Sequence, residues 1–62
     1  SEAAVDTTLA EAVAAGDRLV RPGEPAPWGG YRGYFADPDG FLWEVCFNPF
    51  FAMDETGAVR LP

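Results

Sequence analysis

The turn "DPDG" at residues 37–40 is the feature that most constrains how this chain folds. Proline presets φ at the second position of a tight turn, the Asp37 side chain can accept a hydrogen bond from the backbone two residues on, and Gly40 tolerates positive φ. The runs "GYRGYFA" before the turn and "FLWEVCF" after it are rich in aromatic residues, which is typical of strands. These two runs are therefore predicted to pair as an antiparallel hairpin.

A calcium-binding loop is the alternative interpretation of the same acidic turn. An EF-hand loop needs further oxygen ligands at alternate positions and a glutamate at its twelfth position. Counted from Asp37, that position is Asn48. The hairpin is therefore the favoured interpretation.

The segment "SEAAVDTTLAEAVAAGD" is predicted to form a helix over about residues 2–15. Its apolar residues recur at helical spacing and make one stripe, which consists of Val5, Leu9, Ala12 and Val13. Ser1 is a suitable N-cap, and Gly16 is a suitable residue just beyond the C-cap because glycine adopts positive φ. An amphipathic helix that covers a sheet is the expected outcome.

Three strands are predicted, over about residues 18–22, 30–36 and 41–47, followed by a tail over residues 48–62 with a turn at residues 54–57. Pro22 is expected to end the first strand, and "GEPAPW" after it is expected to be a loop. Gly33 inside the second strand indicates a bulge or a group packed close to the backbone. The fold class is therefore α+β, with one helix on a three-stranded, mainly antiparallel sheet.

Length and charge limit the classes of function. The chain has 62 residues, a formal net charge of −6, one cysteine and no histidine. No internal disulfide is possible, and a small sheet with one helix leaves apolar surface, so a homo-oligomer or contact with the remainder of the same polypeptide is expected. The negative charge disfavours nucleic acid and anionic membranes as partners, and no apolar run approaches the ~20 residues of a membrane span. The free cysteine favours a cytoplasmic location.

Alternation along the third predicted strand divides its side chains between two faces. One set is Leu42, Glu44 and Cys46, and the other is Phe41, Trp43, Val45 and Phe47. The second set is wholly apolar and is expected to pack under the helix. Glu44 then lies on the opposite face, where periodicity alone favours solvent over a cavity.

The residues "GGYRGYFADPDGFLWEVCFNPF", preceded by a helix that ends in "AAGDRLVRP", resemble the vicinal oxygen chelate superfamily, which is the glyoxalase, bleomycin-resistance and extradiol-dioxygenase group. The stretch "DPDG-x-L-W-E" is the most specific part of the resemblance. Modules of that family contain a strand, a helix and three further strands (βαβββ), and paired modules form a curled sheet around a cavity. The resemblance implies that residues 1–62 are a partial C-terminal module that lacks its first strand.

The resemblance gives Glu44 two alternative roles. In metal-dependent members a glutamate at this place ligates a divalent metal inside the cavity, which implies a lyase or dioxygenase when the protein is intact. In metal-free members, which bind small molecules and include resistance proteins, the same glutamate lines the pocket. A truncated remnant without activity is a further alternative, and no metal is expected for this chain alone because it offers a single matching ligand.

Other residues are assigned to the substrate pocket with the same alternatives open. The resemblance places Trp28 near the cavity mouth, and alternation places Leu42 and Cys46 on the face of Glu44. A small buried hydrophobe is favoured over a reactive thiol for Cys46, since no cation stands beside it in the sequence. Arg32 is equally well explained as a partner of an anionic ligand or as an exposed arginine.

Overall fold

The computed structural model describes residues 1–49 and 56–61. They form one helix, α1 (Glu2–Ala14), and four strands, β1 (Arg18–Pro25), β2 (Tyr31–Ala36), β3 (Leu42–Phe47) and β4 (Thr56–Arg60). The strands make one sheet in the order β1-β2-β3-β4, and every neighbouring pair is antiparallel. The predicted α+β class is confirmed. The structure adds a fourth strand where only a tail was predicted, and most of the turn predicted at residues 54–57 lies outside the described residues.

Helix α1 begins and ends as its sequence predicts. The Ser1 side chain accepts a hydrogen bond from the amide of Ala4, and Gly16 follows the C-cap with φ of 110°. Val5 and Leu9 are buried against the sheet, but Val13 is 45% exposed. Val13 lines a hollow between the helix and the edge strand β1, together with Leu19.

Strand β1 is longer than predicted, because Gly23, Glu24 and Pro25 continue the strand instead of forming a loop. Pro22 is tolerated inside it, since β1 is an edge strand and a missing amide there costs no hydrogen bond to a further strand. Two shifts in the register with β2, between Leu19 and Arg21 and between Arg21 and Glu24, absorb the irregular backbone.

The β2–β3 hairpin has the predicted turn. The amide of Gly40 donates to the carbonyl of Asp37 at 2.9 Å, and Gly40 has φ of 88°. One carboxylate oxygen of Asp37 accepts from the amides of Asp39 and Phe41, both at 3.0 Å. The other accepts from the indole nitrogen of Trp43 at 3.0 Å, so the turn is tied directly to β3.

The hydrophobic core lies between α1 and one face of the sheet. Its buried members are Val5, Leu9, Phe35 and Val45. The partly buried Trp43 packs against this cluster and stacks on Phe35, with ring centroids 6.1 Å apart and an interplanar angle of 3°. Trp43, Val45 and Phe47 therefore pack under the helix, as alternation predicts. The same prediction is wrong for Phe41, which precedes β3 and is 46% exposed.

Gly33 is a point where a helix side chain, Leu9, packs directly against the backbone of the sheet. A Cβ atom at this position would lie 2.5 Å from Cδ1 of Leu9 and 2.9 Å from the carbonyl oxygen of Arg21. The prediction that a group packs close to the Gly33 backbone is confirmed, and the register shift after Arg21 lies directly opposite.

Candidate ligand site on the open sheet face

The face of the sheet opposite α1 carries the polar side chains of β2 and β3. In the register of these strands Tyr34 stands opposite Glu44, and Arg32 stands opposite Cys46. Directly opposed residues of an antiparallel pair point to the same face. Register thus brings Arg32, Tyr34 and Glu44 together, whereas the sequence alone left open which face of β2 meets Glu44.

Glu44 is the centre of this group. Its Oε2 accepts a hydrogen bond from the Tyr34 hydroxyl at 2.9 Å and lies 3.8 Å from Nη1 of Arg32. The Glu44 side chain is 24% exposed and that of Arg32 is 34% exposed. Glu44 is therefore a partly buried carboxylate that holds two neighbouring side chains, rather than a freely solvated residue.

The same contacts determine the protonation of the neighbouring groups. The hydrogen bond to Glu44, together with burial, raises the pKa of Tyr34 above its ordinary value, because the phenolate form would face the carboxylate. Burial, and next the charge of Glu44, raise the pKa of the Cys46 thiol. Both groups therefore keep their protons at neutral pH, which suits Tyr34 as a hydrogen-bond donor and Cys46 as a small hydrophobe.

A cleft of about 570 Å³ opens beside this group, and we name it the sheet-face cleft. Its wall is lined by Val20, Arg21, Glu24, Arg32, Tyr34, Leu42 and Leu61. Its size falls in the range of about 300–1,000 Å³ that is usual for small-molecule sites. Three of these lining residues are apolar and four carry hydrogen-bonding or charged groups, which is a mixture suited to a small organic ligand.

The predicted pocket residues occupy different positions relative to this cleft. Leu42 lines the cleft, whereas Glu44 contacts Arg32 and Tyr34 but is not itself among the lining residues. Cys46 shares the face but is not among the lining residues. Trp28 is 42% exposed, its ring lies over Gly30 in the loop before β2, and it does not line the cleft either.

Sequence reasoning missed Arg21 and Glu24 as members of the site. Nη1 of Arg21 lies 3.7 Å from Oε1 of Glu24, so the two residues form an exposed ion pair on β1. In the register of the sheet Arg21 lies opposite Tyr34, and Glu24 lies opposite Arg32. The only signal was their charge, since the strand was expected to end at Pro22. Once the strand is known to continue to Pro25, both residues fall beside the polar residues of β2.

The metal-ligating side chains of the described residues do not by themselves form a metal centre. Among residues 1–49 and 56–61, no three side chains of histidine, cysteine, aspartate or glutamate lie close enough together to hold a metal ion. One of the two carboxylate oxygens of Glu44, Oε2, already accepts from Tyr34 and faces the guanidinium of Arg32. The described residues therefore do not by themselves form the divalent metal site that metal-dependent members of the resembled family use.

A second hollow of about 350 Å³ lies on the other side of the sheet, between α1 and β1. Its wall is mainly apolar, with Leu9, Val13 and Leu19 among the lining residues. Its acidic group, Asp6, already accepts a hydrogen bond from the hydroxyl of Tyr31 at 2.9 Å. No converging set of polar groups faces this hollow, so the sheet-face cleft is the better candidate site.

In the part of the chain that the structure describes, no helix is long and apolar enough to cross a membrane.

A family model described as the Glyoxalase/Bleomycin resistance protein/Dioxygenase superfamily matches residues 1–45. No curated protein and no solved structure gives a significant match. The matched region runs from the helix through β2 and the turn to Val45, so it includes "DPDG-x-L-W-E", the most specific part of the resemblance, and it ends before residues 46–50. The chain therefore belongs to the glyoxalase/bleomycin resistance protein/dioxygenase superfamily.

Proposed function

We propose that this chain forms one wall of a small-molecule binding site, and that Glu44 acts there as an organising carboxylate and not as a metal ligand. The observation that carries the proposal is the double contact of its Oε2, with the Tyr34 hydroxyl at 2.9 Å and with Arg32 Nη1 at 3.8 Å. The function is thus of the metal-free binding type, to which resistance proteins of the superfamily belong.

Charge supports this choice over a metal-dependent lyase or dioxygenase. A divalent cation on Glu44 would face the guanidinium of Arg32, and like charges at such short range repel each other strongly in a partly buried site. A metal bound to Oε2 would also compete with the hydrogen bond from Tyr34. Glu44 instead fixes the orientation of Arg32 and Tyr34, whose outer surfaces line the cleft.

We further infer that another polypeptide closes the site, either a second copy of this chain or the remainder of a longer one. The cleft is a hollow on one sheet, and Val20 at its wall is 41% exposed. Sedimentation of the purified protein tests this inference, and a compact monomer that binds ligands in an open cleft contradicts it. The single free thiol supports a cytoplasmic location.

The metal question is tested by titrating the purified protein with Mn²⁺ while amide resonances are recorded, alongside elemental analysis. We expect no stoichiometric metal and no selective broadening of the amides around Glu44. The matched variants are Glu44→Gln and Glu11→Gln, since Glu11 carries the same charge on the exposed surface of α1. Broadening around Glu44 that Glu44→Gln abolishes and Glu11→Gln preserves would establish a metal ligand and refute the proposal.

A further inference from the structure

We propose that the ligand of the sheet-face cleft is a small organic acid, whose carboxylate is bound by Arg32 together with Arg21 and whose apolar body contacts Leu42 and Leu61. This inference rests on the proposed function and adds the chemical class of the ligand.

The first argument is the charge of the cleft wall. Two of the four basic residues of a chain with net charge −6 line this one cleft. Among the described residues Glu24 also lines the cleft, and Glu44 lies 3.8 Å from Arg32 beside it. Two carboxylates therefore balance the two guanidinium groups, so the cleft is locally neutral in a chain whose net charge is −6, and an anion is repelled less there than by the acidic remainder of the chain.

The second argument is that both guanidinium groups keep donors for a ligand. Arg21 lies 3.7 Å from Glu24 and Arg32 lies 3.8 Å from Glu44, and both distances exceed the ~2.7–3.2 Å of an N–H···O hydrogen bond. A guanidinium has five N–H donors in a planar fork that matches a carboxylate in a bidentate manner. A carboxylate can therefore gain short hydrogen bonds that the internal partners do not provide.

The third argument is spacing. Arg21 stands opposite Tyr34, and Arg32 is two residues before Tyr34 on the same strand, so the two arginines are diagonal neighbours. Diagonal neighbours across an antiparallel pair are about 7–8 Å apart, which long side chains span easily. Both side chains also line the sheet-face cleft, on either side of Tyr34 in the register of the strands. One carboxylate can contact both.

The rest of the wall determines the body of the ligand. Leu42 and Leu61 line the same cleft as the arginines, and Val20 extends this apolar side. An inorganic anion would leave these surfaces in contact with water, whereas a planar hydrocarbon body would bury them. The combination selects a molecule with one carboxylate and an apolar ring or chain.

The test compares benzoate with its neutral isostere benzamide, by titration of each into the purified protein at low ionic strength with amide resonances as the readout. We expect benzoate to shift resonances along the cleft and to bind about tenfold or more tightly than benzamide, because only the carboxylate accepts charge-assisted hydrogen bonds from the guanidinium groups. Added salt should weaken benzoate binding only.

Three variants locate the effect. Arg32→Gln should weaken benzoate binding by about tenfold, and Arg32→Lys should recover only part of it because an ammonium lacks the planar fork. The control is Arg60→Gln, which makes the same change in charge on the opposite face, where Arg60 stands over the ring of Phe41. It should leave benzoate binding unchanged.

Each contrary result has a distinct meaning. Equal binding of benzoate and benzamide in the cleft overturns the organic-acid inference but leaves a small-molecule site. Equal losses in Arg60→Gln and Arg32→Gln overturn the inference as well, because net charge and not the cleft would then be responsible. Shifts from neither probe refute both the inference and the proposed function. Thermal unfolding of each variant verifies that the fold persists.

Discussion

The contact between α1 and the sheet at Gly33 makes a sharp prediction for the variant Gly33→Ala. The added Cβ would lie 2.5 Å from Cδ1 of Leu9, 2.9 Å from the carbonyl oxygen of Arg21 and 3.1 Å from the amide nitrogen of Gly23. Ordinary contacts between carbon atoms are about 3.5–4.0 Å. Gly33 is not among the described glycines with positive φ, so backbone conformation does not oppose the change and the effect is one of space.

The expected cost follows from which atoms must move. Overpacking a core by one methyl group usually costs about 1–3 kcal/mol. The Leu9 methyl can rotate away, but the other two atoms belong to the backbone of β1, so we expect a loss of about 2 kcal/mol in the free energy of unfolding. At 62 residues, total stability is about 3–9 kcal/mol, and the midpoint should fall by about 8–16 °C.

The assay is thermal and urea unfolding of the purified protein, followed by tryptophan fluorescence. Gly57→Ala is the matched control, because Gly57 also lies in a strand but its Cβ would meet nothing within 4 Å. It should be neutral or slightly stabilising. The double variant that combines Gly33→Ala with Leu9→Ala should lose less stability than the sum of the losses of the two single variants. An unchanged unfolding midpoint in Gly33→Ala would refute the close packing of Leu9 and β1 against the backbone of Gly33.

Two further predictions concern the turn and the stacked rings beside it. Trp43→Ala should lower the free energy of unfolding by about 3 kcal/mol, since it removes the stack on Phe35 and the contact with the core, and an unchanged urea midpoint would contradict this packing. The hydrogen bond from Trp43 lowers the pKa of Asp37 below its ordinary 3.8, so this contribution to stability is complete above that pH and is lost as pH falls through the native pKa. In Trp43→Phe the carbon resonances of the Asp37 carboxyl should titrate at higher pH, and an unaltered titration would exclude the indole as the cause.

The sequence predicted correctly those features that depend on neighbouring residues, and it failed for features that depend on the assembled sheet. The hairpin at residues 37–40 was predictable because Asp37 and Gly40 satisfy its geometry within the turn itself. The end of β1 was not predictable from the sequence, because a strand tolerates Pro22 only at the edge of a sheet. The position of β1 at the edge is defined only by the assembled sheet. The family was recognisable from the same turn and the strand after it.

The candidate site shows the same division. Alternation within β3 correctly placed Glu44 opposite the face that packs under α1. Its contacts with Tyr34 and Arg32 depend on the register between β2 and β3, which a single sequence does not specify. The part of the cleft that β1 supplies depends in addition on the two register shifts of that strand. Local patterns therefore identify the carboxylate but not the cleft beside it.

The prolines of β1 make the two edges of the sheet unequal. Pro22 and Pro25 have no amide to offer a neighbouring strand, and the register shifts distort the same edge further. The opposite edge is β4, Thr56–Arg60, which contains no proline and pairs regularly with β3. A strand from a second copy or from the rest of a longer polypeptide can therefore pair with β4. Strand β1 disfavours a further strand, and this also protects the sheet from edge-to-edge aggregation.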